Sequence, residues 1–181
     1  MTTDVLFSRP VRVEPLPKDG LTQTIEADPS ERAALAKLNG LPGVGKLAAT
    51  FVLKRSGRGG VRVTGTVHAE ITQFCIVSLE PFAATLDEPV DVRFKPAPKE
   101  TPARRGSADE EAETIAMDGE DAPDPIVDGR IDLGALAAEF MALGLDPYPR
   151  KPGAEFAPPA EATPHDSPFD ALAGAAKKRK R

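Results

Sequence analysis

Apolar residues fall at every second position in two runs of the chain, 47–53 and 61–71, separated by a Gly-rich stretch from 56 to 60. A repeat of two residues is the period of a half-buried β-strand, and a short Gly-rich connection is typical of an antiparallel hairpin. We therefore predict a long hairpin here. Because arms of this length must twist, Gly65 is the candidate position for a β-bulge.

Weaker alternation predicts further strands on both sides of this hairpin. Residues 4–14 form an interrupted strand in which Pro10 suggests a sheet edge or a bulge. Residues 21–26 form another strand. Alternation recurs over 82–94, where Asp87-Glu88-Pro89 predicts the turn of a second hairpin.

The first helix has a clear start and end signal. Asp28 is placed as N-cap, Pro29 follows at the first helical position, and Glu31 completes a capping box. Asn39-Gly40 ends the helix. Its predicted apolar stripe consists of Ala34, Leu35 and Leu38.

A second helix is predicted to begin after Asp132, which can cap it, and to end at Gly144. Pro147 and Pro149 prevent its continuation. Its apolar residues share one face at helical spacing: Leu133, Leu136, Ala137, Phe140 and Leu143.

Together these elements predict an α+β fold, a curved antiparallel sheet or partial barrel between about residues 4 and 95, packed by one or two helices. Residues 97–123 lose all periodicity and predict a disordered acidic insertion. We predict one domain over 1–150, followed over 151–181 by a Pro/Ala-rich linker and a basic C-terminal tail.

Charge is unevenly distributed along the chain. The 23 basic and 28 acidic residues give a net charge of −5, whereas the chain without its last five residues would be at −10. Those five are all basic: Lys177, Lys178, Arg179, Lys180 and Arg181. Residues 109–124 carry eight acids and no base. Either these are a solubilising linker and a frayed end, or the acidic body meets a basic protein and the tail contacts RNA phosphates.

Composition excludes several classes of protein. One Cys excludes a disulfide framework or a multi-thiolate zinc site within the chain, and two His are too few for a His-rich metal centre. No apolar stretch is long enough to span a bilayer, and the N-terminus lacks the apolar region of a signal peptide. We expect a cytoplasmic protein with no cofactor, no membrane partner and no small-molecule substrate.

Two motifs and two side chains are candidates for a ligand-binding or catalytic site. Gly40–Lys46 fits the start of a phosphate-binding loop, but Leu47 replaces its hydroxyl residue, and the order of helix and strand is reversed. Asp124–Gly129 lacks the bidentate Glu of a calcium loop. His68 lies on the polar side of its strand, and no base is placed in sequence to activate Cys75. We find no catalytic constellation and expect a protein that is not an enzyme, in which Cys75 is a small buried apolar residue.

Several short motifs in a fixed order carry a family resemblance. They are Val63-x-Gly65-x-Val67-x-Ala69 before Cys75, then Leu79-Glu80-Pro81-Phe82, Val90–Phe94, Asp124-Pro125-Ile126, Ile131-Asp132-Leu133, Leu145–Pro149, and Ser167-Pro168-Phe169. With these motifs the chain resembles the YceD-like family, the large ribosomal RNA subunit accumulation proteins. The family-motif residues that we single out are Cys75, Leu79, Glu80, Phe94, Asp124, Ile126, Leu133, Pro147, Pro149, Pro168 and Phe169.

The chain departs from the family at one place. Many relatives have Cys-x-Arg-Cys-Leu where this chain has Cys75-Ile76-Val77-Ser78-Leu79, so the second Cys and the Arg are both replaced. Any metal binding or redox chemistry of that pair cannot occur here, which favours a structural role for Cys75.

The resemblance implies a non-enzymatic bacterial factor that supports accumulation of large-subunit (23S) ribosomal RNA. The implied partners are components of the pre-50S particle, either the rRNA or a basic ribosomal protein. An acidic protein-interaction module unrelated to ribosomes is the alternative, and an enzyme is the third class. A polar cleft that brought together His68, Cys75 or Glu80 would favour the enzyme.

Overall fold

The computed structural model describes residues 6–57, 59–96 and 122–156. The predicted acidic insertion therefore lies almost entirely outside the described residues, as do Pro168, Phe169 and the predicted RNA contacts Lys177–Arg181. In the part that is described, no helix is long and apolar enough to cross a membrane.

The fold is α+β, as predicted. An open five-stranded sheet has the order β2-β3-β4-β5-β6 and is antiparallel except for its last pair. Its strands are β2 (Leu21–Glu26), β3 (Gly43–Ser56), β4 (Gly60–Phe74), β5 (Pro81–Pro96) and β6 (Asp124–Ile126). The helices α1 (Pro29–Leu38) and α2 (Leu133–Leu143) complete the core with a small two-stranded sheet of β1 (Pro10–Arg12) and β7 (Arg130–Asp132).

The long hairpin is confirmed, and its alternation sets the core. One face of β3 and β4 is fully buried, with Phe51, Leu53 and Val63 at 0% exposure. The prediction of a bulge at Gly65 is wrong. The register shift lies between Val44 and Lys46, near the start of β3. Gly65 instead pairs regularly with Phe51, where a Cβ atom would lie 2.1 Å from the carbonyl oxygen of Thr50. Glycine at 65 therefore permits close packing of neighbouring strands and does not introduce a bulge.

The predicted second hairpin is wrong, because β5 is a single strand from Pro81 to Pro96 that pairs with β4 without interruption from Pro81 to Phe94. Asp87, Glu88 and Pro89 continue the ladder and do not turn the chain, with Pro89 opposite Thr66. A proline fits here because no second strand of the described residues pairs with β5 at this position, so no ladder hydrogen bond within them needs its missing N–H. The local turn signal was outweighed by the pairing with β4.

Helix α1 has the predicted capping box. The Asp28 carboxylate accepts the N–H groups of Ser30 and Glu31 at 2.8 and 2.9 Å, and the Glu31 carboxylate accepts the Asp28 N–H at 2.8 Å. The stripe is partly wrong, since the helix buries Leu35 and Ala36 while Leu38 is 70% exposed. Leu38 is the last residue of the helix.

Helix α2 packs on the inner face of the sheet and is capped by Asp132, whose carboxylate accepts the N–H of Gly134 at 3.0 Å. Leu133, Leu136 and Ala137 are buried as predicted. The stripe then continues to the fully buried Met141, so Leu143 is exposed and Phe140 only half-buried, contrary to the prediction. The spacing 133, 137, 141 follows the i, i+4 row of the helix, along which α2 crosses the sheet.

The two ends of the predicted sheet also differ from expectation. The strand predicted over 4–14 is reduced to β1, which pairs with β7 and not with the main sheet. The last strand, β6, runs parallel to β5, with Asp124 opposite Phe94. The sheet between β2 and β6 stays open, and its two edges do not meet.

Candidate interaction site

The candidate site is the six-residue loop that joins β4 to β5, which we call the Cys75 loop (Cys75–Glu80). Its ends are held together by backbone hydrogen bonds. The Cys75 N–H donates to the Glu80 carbonyl at 2.9 Å, and the Leu79 N–H donates to the Cys75 carbonyl at 2.8 Å. The loop is therefore closed by its own backbone, whose polar groups find partners within it.

Cys75 organises this loop from inside. The side chain is fully buried, and its Sγ lies 3.4 Å from the backbone nitrogens of Val77 and Ser78, both of which donate to it. Hydrogen bonds from the Ser78 side chain and then from its backbone lower the pKa of the thiol to about 6, which outweighs the opposite effect of burial. A thiolate would therefore be stabilised here as a hydrogen-bond acceptor, so the predicted buried position is correct but its surroundings are polar.

Leu79 is the exposed and strained residue of the loop. Its φ is +59°, in the left-handed region that is unfavourable for a non-glycine residue, and its side chain is 76% exposed. Three further large apolar side chains near the loop are more than 40% exposed: Phe74, Ile76 and Tyr148. We call these four residues the Leu79 surface. Backbone strain and a solvated apolar side chain are both costly, and they coincide at Leu79.

The segment after α2 is fastened against this loop. The Ile76 N–H donates to the Pro149 carbonyl at 2.9 Å, and Lys151 Nζ donates to Glu80 Oε2 at 2.9 Å. The lysine lowers the pKa of the Glu80 carboxyl, first by hydrogen bonding and then by its charge. Tyr148 is thereby held beside Ile76, although 72 positions of sequence separate them.

The structure sorts the family-motif residues into two groups. Cys75, Leu79, Glu80, Pro147 and Pro149 meet at the Cys75 loop. The other described members meet at the opposite end of the sheet, where β6 pairs with β5 and α2 begins: Phe94, Asp124, Ile126 and Leu133.

The two groups lie far apart and differ in exposure. They lie towards opposite ends of β4, whose path from Val61 to Phe74 is roughly 43 Å long at the usual rise of a strand. Phe94, Ile126 and Leu133 are buried, so these family-motif residues stabilise the hydrophobic core. Leu79 and Glu80 are exposed.

Of the three residues considered for an enzymatic cleft, Cys75 and Glu80 share one loop, but His68 does not join them. His68 lies on the polar face of β4, where its Nδ1 is 2.8 Å from Asp87 Oδ1, whereas the Cys75 thiol is enclosed by its own loop. Seven residues of extended strand between them span about 23 Å. Among the described residues, no group of three or more His, Cys, Asp and Glu side chains could hold a metal ion.

Sequence reasoning missed most of the Leu79 surface. Phe74 carried a visible signal, since it continues the polar positions of β4 as an aromatic residue and so had to face solvent. Tyr148 and the pair between Lys151 and Glu80 carried none, because they depend on the path of the chain after α2.

Comparison with known proteins identifies the family. The family model of the large ribosomal RNA subunit accumulation protein YceD matches residues 63–174, more than half of the chain. The match begins in β4 and includes the Cys75 loop, β5, β6 and α2. No curated protein and no solved structure matches the chain significantly. The order of motifs and this match agree, and the chain belongs to the YceD family of large ribosomal RNA subunit accumulation proteins.

Proposed function

We propose that the chain is a non-enzymatic bacterial factor that acts in the cytoplasm and supports accumulation of 23S rRNA by binding a component of the pre-50S particle. Membership of the YceD family supports a role in accumulation of large-subunit rRNA. The observation that carries the binding role is Leu79, an exposed leucine held at a positive φ by a loop that is hydrogen-bonded to its own buried cysteine. Leu79 is one of four exposed apolar side chains around the loop, and a group of exposed apolar side chains on a folded surface marks an interaction site.

The geometry of the nucleophiles supports the non-enzymatic part of the proposal. The Cys75 sulfur is fully enclosed and engaged with backbone N–H groups, so a substrate could not reach it without opening the loop. His68 is hydrogen-bonded to Asp87 on the neighbouring strand and does not lie beside the Cys75 thiol.

The competing interpretation was an acidic module unrelated to ribosomes. The described residues contain 14 basic and 16 acidic side chains, a net charge of −2. Most of the negative charge therefore belongs to residues outside the described part of the chain, and the described residues by themselves are only weakly acidic. The family assignment and this balance both favour the ribosomal role.

The test is co-sedimentation of the chain with pre-50S particles, together with the 23S to 16S rRNA ratio in cells that depend on it. Leu79→Ser should reduce both without unfolding the protein, because the side chain is 76% exposed. Leu38→Ser is the matched control, since Leu38 is an exposed leucine on α1. Normal co-sedimentation and a normal rRNA ratio in Leu79→Ser, with a native circular dichroism spectrum, would refute the role of the Leu79 surface.

A further inference from the structure

A depression on the main sheet lies close to the Leu79 surface. It has a volume of about 420 Å³ and is shared by three strands, with Gly45 of β3, Thr72 of β4, and Ala83 and Thr85 of β5 in its lining. The positions on β4 and β5 alternate with more buried ones and so point away from the hydrophobic core. Because all four residues are small, the surface of the sheet is recessed here. We call this recess the Thr72 depression.

Phe74 connects the Thr72 depression with the Leu79 surface. It follows Thr72 by two positions on β4, so the two residues share a face of the sheet and lie about 7 Å apart. Phe74 is 53% exposed, and the Cys75 loop begins at the next residue. The depression, Phe74 and Leu79 therefore follow one another at one end of the sheet.

The charged side chains around this end of the sheet balance each other. Three basic and three acidic residues belong to the rim of the depression, to the Cys75 loop and to the segment from α2 to Lys151: Lys46, Arg150, Lys151, Glu70, Glu80 and Asp146. Lys46 stands opposite Glu70 in the register of β3 and β4. Further along β5, Asp87 is hydrogen-bonded to His68. The surface formed by these described residues therefore has no excess of positive charge.

This balance favours a protein over RNA as the ligand. Exposed aromatic side chains such as Phe74 and Tyr148 can stack on the bases of single-stranded RNA, but such sites combine stacking with a positively charged groove for the backbone. The described residues around the Leu79 surface do not supply that positive charge. Exposed apolar side chains beside a recess are instead typical of protein interfaces, in which the residues that contribute most to affinity fill pockets of the partner.

We propose that the ligand of the Leu79 surface is a protein segment whose apolar side chains cover Leu79 and Phe74 and place one large side chain in the Thr72 depression. A cavity of about 150 Å³ is sufficient for a benzene molecule, so the depression of about 420 Å³ accommodates an aliphatic or aromatic side chain. Shape and apolar contact, and not phosphate binding, recognise this partner. The inference rests on the proposed function, for which it names the class of partner.

The first test is photocrosslinking of the full-length chain to purified pre-50S particles from position 79. Leu79→p-benzoylphenylalanine keeps an apolar side chain there and reacts on irradiation with whichever molecule covers it. We expect an adduct whose added mass persists after nuclease digestion. An adduct that loses most of its added mass to nuclease would overturn the proposal in favour of RNA. Leu38→p-benzoylphenylalanine is the control, since Leu38 is an exposed leucine on α1, and equal yields at the two positions would also overturn it.

The second test fills the depression. Ala83 is exposed, so Ala83→Leu should leave the fold intact while it occupies the space of the partner side chain. We expect particle binding to weaken about tenfold, the loss caused by one important interface residue. Thr85→Leu fills the same depression from the same strand and should act alike.

The matched control is Ala33→Leu, at an exposed alanine of α1, which should bind particles normally. Circular dichroism of each variant verifies the fold. Normal binding by both Ala83→Leu and Thr85→Leu, or an equal loss in Ala33→Leu, would overturn the occupation of the depression.

Failure of this inference and failure of the proposed function give different results. If Leu79→Ser loses co-sedimentation while the adduct from position 79 is RNA, the proposed function stands and the class of partner is wrong. Normal co-sedimentation of Leu79→Ser would refute the binding role of the Leu79 surface and this inference with it.

Discussion

The guanidinium of Arg9 donates two hydrogen bonds to the carboxylate of Glu31, at 2.7 and 2.9 Å. Glu31 also accepts the N–H of Asp28 and so completes the capping box of α1. The backbone N–H of Arg9 donates to the Asp132 carboxylate at 2.7 Å, which caps α2. Arg9 therefore connects the starts of both helices.

We expect Arg9→Met to destabilise the fold by about 1 kcal/mol at neutral pH, since the pair is bidentate but partly exposed. Hydrogen bonding to Arg9 is the main cause that lowers the pKa of Glu31 below 4.5. A lowered native pKa adds stability above the unfolded pKa, and that stability is lost as pH falls through the native value. The difference between the variant and the unchanged chain should therefore shrink below about pH 4.5. Denaturant unfolding over a pH series measures this, with Arg12→Met as the control; a difference that stays constant would contradict it.

Gly65→Ala should cost about 3 kcal/mol or more in unfolding free energy, because two packed backbones would have to separate. The added Cβ would lie 2.1 Å from the carbonyl oxygen of Thr50. Gly43→Ala on β3 is the control, since nothing lies within 4 Å of its Cβ position. Thermal or denaturant unfolding of the two variants gives the comparison, and equal stability would show that β3 and β4 do not approach as described.

Met141→Ala should destabilise the chain more than Phe140→Ala, although phenylalanine is the larger residue. Met141 is fully buried, so its truncation should cost about 2–5 kcal/mol. Phe140 is half-buried, and its loss should cost about 1–2 kcal/mol. Urea unfolding of both variants tests the order. The reverse order would contradict the burial described here and would support the apolar face predicted from the sequence, which included Phe140 and Leu143.

Cys75→Ala should lower the melting temperature more than Cys75→Ser, because a serine oxygen can still accept the N–H groups of Val77 and Ser78. The native thiol has a pKa of about 6, below its ordinary 9.0. The thiolate contribution to stability is therefore complete above pH 9, falls between pH 9 and 6, and is lost below pH 6. The unchanged chain should therefore gain stability relative to Cys75→Ser as the pH is raised from 6 to 9.

Ultraviolet absorbance of the thiolate checks the pKa directly, and Cys75→Ser gives the blank because the chain has one Cys. Titration at the ordinary thiol pKa in the folded protein would contradict the hydrogen-bonded loop.

The sequence pattern predicted an element correctly wherever residues close together in the sequence determine that element. The period of β3 and β4 fixed the hairpin and its buried face, and Asp28 with Glu31 fixed the start of α1. The prediction failed where a contact with a residue far away in the sequence determines the structure. Asp87-Glu88-Pro89 has turn chemistry but follows the ladder of β4, and the pair of Arg9 with Glu31 joins residues 22 positions apart.

The candidate site was predictable in part for the same reason. The resemblance singled out Cys75, Leu79 and Glu80, which are neighbours in sequence. Their environment is not local, because Tyr148 and Lys151 reach the loop only after α2 has crossed the sheet. The positive φ of Leu79 also follows from closure of the loop around Cys75, for which leucine itself gives no signal.

The long strand β5 has a consequence for the behaviour of the protein in concentrated solution. Among the described residues, β5 pairs on this side only with β6 and only over Phe94–Pro96, so in that part of the chain its remaining residues form an edge to which a second molecule could add a strand. Pro89 removes a donor from the middle of that edge, and Asp87 and Glu88 place two negative charges beside it. Identical copies would repel each other there. The three residues with turn chemistry thus protect the molecule from self-association, the hazard of every exposed sheet edge.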